Sequence, residues 1–118
     1  MKRTMLDHSG LKFFTGGSKI RVNPAQIIRM EAMGNYTKVY FEDHVPIMMA
    51  KVLHTYEVLL RPYGFVRIHH SHLVNLKHVK EVDDQGIVQM QDNSCLKFSR
   101  RKRNDGLILY MNQAIVTA

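Results

Sequence analysis

The chain has 118 residues, 45% of them hydrophobic and 23% charged, the balance of one globular domain long enough to bury a core. Seventeen Lys and Arg against ten Asp and Glu leave a net charge of +7 and an isoelectric point near 9.8, which points to a polyanionic partner, nucleic acid before an anionic membrane surface. No apolar run approaches the roughly 18–20 residues of a membrane span, the opening MKRTMLDHSG lacks the apolar core of a signal peptide, and the single cysteine, Cys95, excludes an intrachain disulfide, so a reducing, cytoplasmic setting is expected.

Residues 1–9 read as a loosely attached start. LKFF, TGGSK and IRV then read as strand, Gly-Gly turn and strand, a hairpin. NPAQ is a turn or a single helical turn, and IIRMEAM a strand. After a Gly34–Asn35 bend, period-2 alternation puts Tyr36, Lys38 and Tyr40 on one face and Thr37, Val39 and Phe41 on the other. VPIM is a short strand. Met48 to Arg61 is the one prominent helix, with Met48, Val52, Leu53, Tyr56, Leu59 and Leu60 as its core face and PYG as its stop. FVRIHH and HLVNL are strands separated near Ser71; HVKEVDD and IVQMQ form a hairpin turning at Gln85–Gly86; CLKFS is a further strand. The tail RRKRNDGLILYMNQAIV can form a short C-terminal helix, which Gly106 weakens by roughly 1 kcal/mol relative to Ala. Eight to ten short strands with little helix make a mainly β domain, with no internal repeat evident in the sequence.

Two segments carry the chemistry. Lys97 to Arg103, KFSRRKR, has five basic residues in seven. A solvated charged face is the bland reading, but such faces usually alternate sign and no acid interleaves here. Arginines at the mouth of a loop can grip phosphate or read guanine edges. The second segment is FVRIHHSHLVN. An H-x-H pair offers two zinc ligands, but no Cys-x-x-Cys or His-Glu-x-x-His spacing supplies the rest, so neither a metal nor any other cofactor is expected. Ser71 lies between two histidines, yet strand neighbours point to opposite faces and no nucleophile elbow is present, so no enzymatic activity is expected. As phosphate and base contacts, Arg67, His69, His70 and Ser71 make better sense, with simple packing as the alternative for His69 and His72. Asn75 is read as holding a turn through side chain-to-backbone bonds, and Cys95 as a small buried apolar residue rather than a redox switch.

IIRMEAMGNYTKVYF, FVRIHHSHLVNLKHVKEV and KFSRRKR, in this order and spacing, resemble the LytTR DNA-binding domain of bacterial transcription regulators, across about residues 18–110. F-x-R-I-H-x-S-x-x-V-N is the most specific part; E-A-x-x-N-Y-T and S-R-R support it. The resemblance implies an elongated fold of small β-sheets in which loops, not a recognition helix, enter successive major grooves of double-stranded DNA. It implies three contact regions: Asn35, Tyr36, Thr37 and Lys38, with Thr37 as base reader; Arg67, His69, His70 and Ser71, with His70 against the intervening backbone or minor groove; and Arg100, Arg101 and Lys102, with Arg101 as the guanine contact.

His70 stands where the family often has Arg, so protonation would strengthen a phosphate contact there and make binding mildly pH-dependent. Residues 1–17, an extension with the first strand, form neither the receiver domain nor the membrane segments that many members carry; the expectation is a stand-alone regulator, with 111–118 as a tail. Paired direct repeats, a second copy on DNA and a signalling protein are the partners implied. The alternative is a protein-interaction module for a signalling partner, with weak or non-specific DNA binding.

Overall fold

A computed structural model describes residues 11–15, 18–103 and 105–117. Among these, ten strands form three antiparallel sheets, and two helices complete the fold. Strands β1 (Leu11–Thr15) and β2 (Ser18–Val22) make the expected hairpin, whose turn lies outside the described residues. The central sheet has five strands in the order β5-β4-β3-β7-β6: β3 Ile27–Met33, β4 Tyr36–Phe41, β5 Ile47–Met49, β6 Phe65–His69 and β7 His72–Asn75. The third sheet joins β8 (Val79–Val82), β9 (Ile87–Met90) and β10 (Cys95–Lys97). The molecule is elongated, 43 × 32 × 24 Å.

The central sheet is buried on both faces. One face packs with β1, β2 and α1 (Leu53–Leu60) around Phe13, Ile27, Met30, Val39, Met49 and Leu73. The other packs with the three-stranded sheet and α2 (Asp105–Thr117) around Ile28, Ile68, Val74, Val88, Met90 and Met111. Ile27 and Ile28 point to opposite cores, as neighbours on a strand do, and the bulge between Ile27 and Arg29 resets the alternation so that Met30 joins Ile27 in the first core.

Three expectations need correction. The helix expected over 48–61 is α1, only Leu53–Leu60, followed by a 3-10 turn at Arg61–Tyr63. Met48 and Met49 instead pair with Lys38 and Thr37 as β5, because a strand there gives the β4 edge a partner. Only Leu53, Tyr56 and Leu60 of the expected apolar face are buried; Met48, Val52 and Leu59 are exposed. Second, Cys95, read as a small buried residue, is exposed at the start of β10; packed structure also extends outside residues 18–110, with Phe13 in the first core and Met111, fully buried on α2, in the second. Third, the chain contains a structural repeat. Asn23 and Asn75 each cap a 3-10 turn by accepting from the N–H two residues on; a bulged strand, a positive-φ glycine (Gly34 or Gly86) and a return strand follow, at one constant offset in numbering. The copies interlock: Asn75 Nδ2 donates to the carbonyls of Pro24 (3.2 Å) and Ile27 (2.8 Å), and His78 Nε2 lies 2.8 Å from that of Ala25. Asn75 thus holds a turn, as expected.

Candidate nucleic-acid interface

Sheet topology brings the three sequence segments to one end of the molecule. The Gly34–Asn35 turn joins β3 to β4, and the His70–Ser71 turn joins β6 to β7. Because β3 pairs with β7, with Glu31 opposite His72, the two turns emerge side by side; Ala32 N–H donates to the Ser71 carbonyl at 2.9 Å. The basic segment follows β10, and Ser99 N–H donates to the Ile68 carbonyl of β6 at 2.9 Å. The three turns therefore lie in a row across the sheet end, the first two about 10 Å apart at ordinary strand spacing.

In the first turn Asn35 and Tyr36 are exposed. Lys38 is half-buried, its ammonium 5.2 Å from the Tyr40 ring, which also carries the Arg29 guanidinium at 3.8 Å. Thr37 does not fit a base-reading role: it is fully buried, and its hydroxyl donates to the Lys51 carbonyl at 2.7 Å. It shares a strand face with Val39 and Phe41, so its side chain ties β4 to the segment after β5.

In the second turn Arg67 is also turned inward. Its guanidinium donates to Glu57 Oε1 at 2.8 Å, to the His69 carbonyl at 2.8 Å, and to the His70 carbonyl. With its side chain 15% exposed and these groups engaged, it shapes the turn rather than facing solvent. His69 Nδ1 accepts from Ser71 N–H at 3.0 Å, which fixes the neutral ring with its proton on Nε2. Desolvation, then the neighbouring His70 and Arg67, push its pKa below the ordinary value. Its ring lies 4.4 Å from that of His70 and 5.3 Å from that of His72. His72 is half-buried, and burial lowers its pKa against the opposing pull of Glu31. His70 is the exposed imidazole of the turn. Ser71 serves it through its backbone groups.

In the third turn Ser99 is the organiser. Its carbonyl accepts from the N–H groups of Lys102 (3.1 Å) and Arg103 (2.9 Å), and its hydroxyl accepts from Lys102 N–H at 3.0 Å. This leaves Arg100 and Arg101 exposed at the apex, with Lys102 half-buried. Arg103 turns away and donates to the Asp84 carbonyl.

Between the second and third turns lies an open cleft of about 560 Å³ lined by Glu57, Arg67, His70, Ser99, Arg101 and Lys102. Glu57 is the site residue that the sequence pattern did not reveal. Burial would raise its pKa, but the Arg67 hydrogen bond and charge, with His54 and Lys102, hold the carboxyl below its ordinary value. His54 of the same helix lies 3.4 Å away and Arg61, at the start of the 3-10 turn that follows, 3.8 Å away. Among the described residues no three His, Cys, Asp or Glu side chains are grouped to hold a metal ion, and no helix is long and apolar enough to cross a membrane.

Comparison with known proteins agrees with this architecture. The family model of the LytTr DNA-binding domain matches residues 17–105. A solved LytTr DNA-binding domain from Bacillus cereus, in a protein described as a methyl-accepting/DNA response regulator, superposes with a TM-score of 0.66 at 24% identity, over 80% of this chain and 89% of that one. No curated protein matches. With more than half the chain matched by the family model, and with its mainly β architecture, the chain belongs to the LytTR family of DNA-binding domains.

Proposed function

We propose that this domain binds double-stranded DNA sequence-specifically, as the DNA-reading part of a transcription regulator. Asn35, Tyr36 and Lys38 of the first turn enter one major groove. His70 of the second lies against the intervening backbone or minor groove. Arg100, Arg101 and Lys102 of the third enter the next groove. The observation that carries the reading is the row of three turns, held by the Ala32–Ser71 and Ser99–Ile68 backbone hydrogen bonds. The net charge of +7 supports it. Affinity then comes chiefly from phosphate neutralisation, and with about five to seven phosphate contacts log K falls against log salt with a slope of about −5.

The test is selection of bound duplexes from a random library at near-physiological salt, followed by sequencing. A recovered motif, repeated in direct orientation if two copies bind, is the expected result. Salt-sensitive binding with no enriched sequence would overturn the sequence-specific reading and favour a protein partner as the source of specificity.

A further inference from the structure

The Arg67 guanidinium joins three things that the chain separates: the α1 carboxylate of Glu57 and the carbonyls of His69 and His70. Those carbonyls bracket the turn that presents His70. The turn is held as well by the His69–His72 strand pairing at its base, the Ser71 N–H to His69 Nδ1 bond inside it, and the Ala32 N–H to Ser71 carbonyl bond at its far side. Arg67 approaches from the cleft side, where Glu57 fixes the guanidinium plane at 2.8 Å. Glu57 is in turn only 18% exposed and bordered by cations from three elements, Arg61 of the 3-10 turn, Arg67 on β6 and Lys102 on the third turn, with the His54 imidazole of α1 at 3.4 Å. A carboxylate in the middle of a surface built to meet phosphates opposes affinity by simple charge. Its position is accounted for if it does something other than bind.

We propose that Glu57 and Arg67 are positioning residues: the pair sets the shape of the His69–Ser71 turn and its distance from Arg101 and Lys102 across the cleft, and so sets DNA specificity while lowering general affinity. The physical basis is the fork geometry of arginine. A planar guanidinium can serve two carbonyls and a carboxylate at once, whereas a lysine ammonium keeps the charge without the fixed plane. Removing the Glu57 charge frees the surrounding cations for phosphate and releases the plane of the guanidinium. Binding to random DNA then rises or holds while preference for the selected site falls.

This inference rests on the sequence-specific reading above, so its test starts from a site selected by the unaltered domain. If no site is enriched, that reading fails first, and separately. Given a site, Glu57→Gln and Arg67→Lys are compared with the unaltered domain on the selected duplex and on a random duplex, with thermal unfolding as a check on folding. The expected result is a fall of about tenfold or more in the specific-to-random affinity ratio for each variant, with random-duplex affinity unchanged or higher for Glu57→Gln. Combining the two changes adds little to either alone, because both act through one turn. A phosphate-contact role for Arg67 predicts instead that lysine preserves both affinities. That outcome, or parallel losses on both duplexes for Glu57→Gln, overturns the proposal. Should Arg67→Lys fail to fold, the near-isosteric Glu57→Gln decides alone.

Discussion

Thr37 and Arg67 show what a motif can and cannot convey about single side chains. Both lie in segments that the resemblance had placed against DNA, and both point inward. The alternation that placed Thr37 with Val39 and Phe41 was readable in the sequence, and it already argued against a base contact; family position and strand phase conflicted, and the phase was right. Replacing Thr37 with Val keeps the volume but removes the hydroxyl that donates to the Lys51 carbonyl. Stability is expected to fall by about 1 kcal/mol in urea unfolding, with base preference unchanged; an altered base preference would return Thr37 to the reading surface. Arg101, exposed at the apex of its turn, is the opposite case. Arg101→Ala is expected to cost about 1–3 kcal/mol on the selected site and relax one position, whereas Lys102→Ala weakens all sequences alike. Equal losses on selected and random duplexes for Arg101→Ala would remove its base-reading role. His69 sets a pH dependence of its own. Its folded pKa lies below the unfolded value, so the unfolded chain binds the proton more readily. The stabilisation is complete above the unfolded value of about 6.5 and is lost as pH falls through the folded value. Protonation also removes the acceptor for Ser71 N–H, so the turn loosens on acidification. An NMR titration of the His69 ring is expected to give a pKa below that of an unfolded histidine, and a higher one would contradict the Nδ1-acceptor arrangement.

Among the elements, strands were more legible than the helix limits. Period-2 patterns and turn residues located the hairpins because burial on a sheet repeats every second residue. The α1 start was misplaced because MMAKVL is apolar at spacings that suit both a helix and an edge strand. The choice is made by pairing of Met48 and Met49 with β4, a tertiary event. The repeat stayed hidden for a related reason. Its two copies share an Asn cap, a branched residue, a bulge and a positive-φ glycine, but few identities. Only the backbone shows them to be equivalent. The interlock predicts where the fold is most sensitive. Asn75 is 1% exposed, donates to two carbonyls of the first copy and caps its own turn. Asn75→Ala is expected to cost about 2–4 kcal/mol in urea unfolding, since buried carbonyls and a cap lose partners together. Asn23→Ala, which removes an exposed cap bond, is expected to cost only about 1 kcal/mol. Equal costs would mean that the copies do not depend on the interlock.

At the scale of the whole molecule, the central sheet divides the interior into two cores, and the three turns of the proposed interface draw on both. The first and second turns rise from strands packed against α1, while the third is hung from β10 and followed by α2. The sequence conveyed the three segments but not this dependence, because Gly106 near the start of the terminal helix suggested a short one, with 111–118 as a tail. The structure gives α2 a defined task. Ile108 and Met111 fill the second core, and Asn112 both donates to the Val82 carbonyl at 2.9 Å and accepts from the Val82 N–H at 3.2 Å, so the helix clamps β8. Ending the chain after Tyr110 would remove Met111, Asn112 and the packed Ala114 and Ile115. Met111 alone is worth about 2–5 kcal/mol on truncation to Ala, against a total of about 5–15 kcal/mol for an ordinary domain. A 1–110 chain is therefore expected to lose most of its cooperative urea transition, and Met111→Ala to shift the midpoint without changing the slope. The third turn should fail before the others, because its support through Phe98 and Ser99 belongs to the second core, so sequence preference at the Arg101 position should weaken first in Met111→Ala. A 1–110 chain with the full-length midpoint and an intact binding motif would show that the domain does not need α2 beyond Tyr110 and that the third turn is held without Met111 and Asn112.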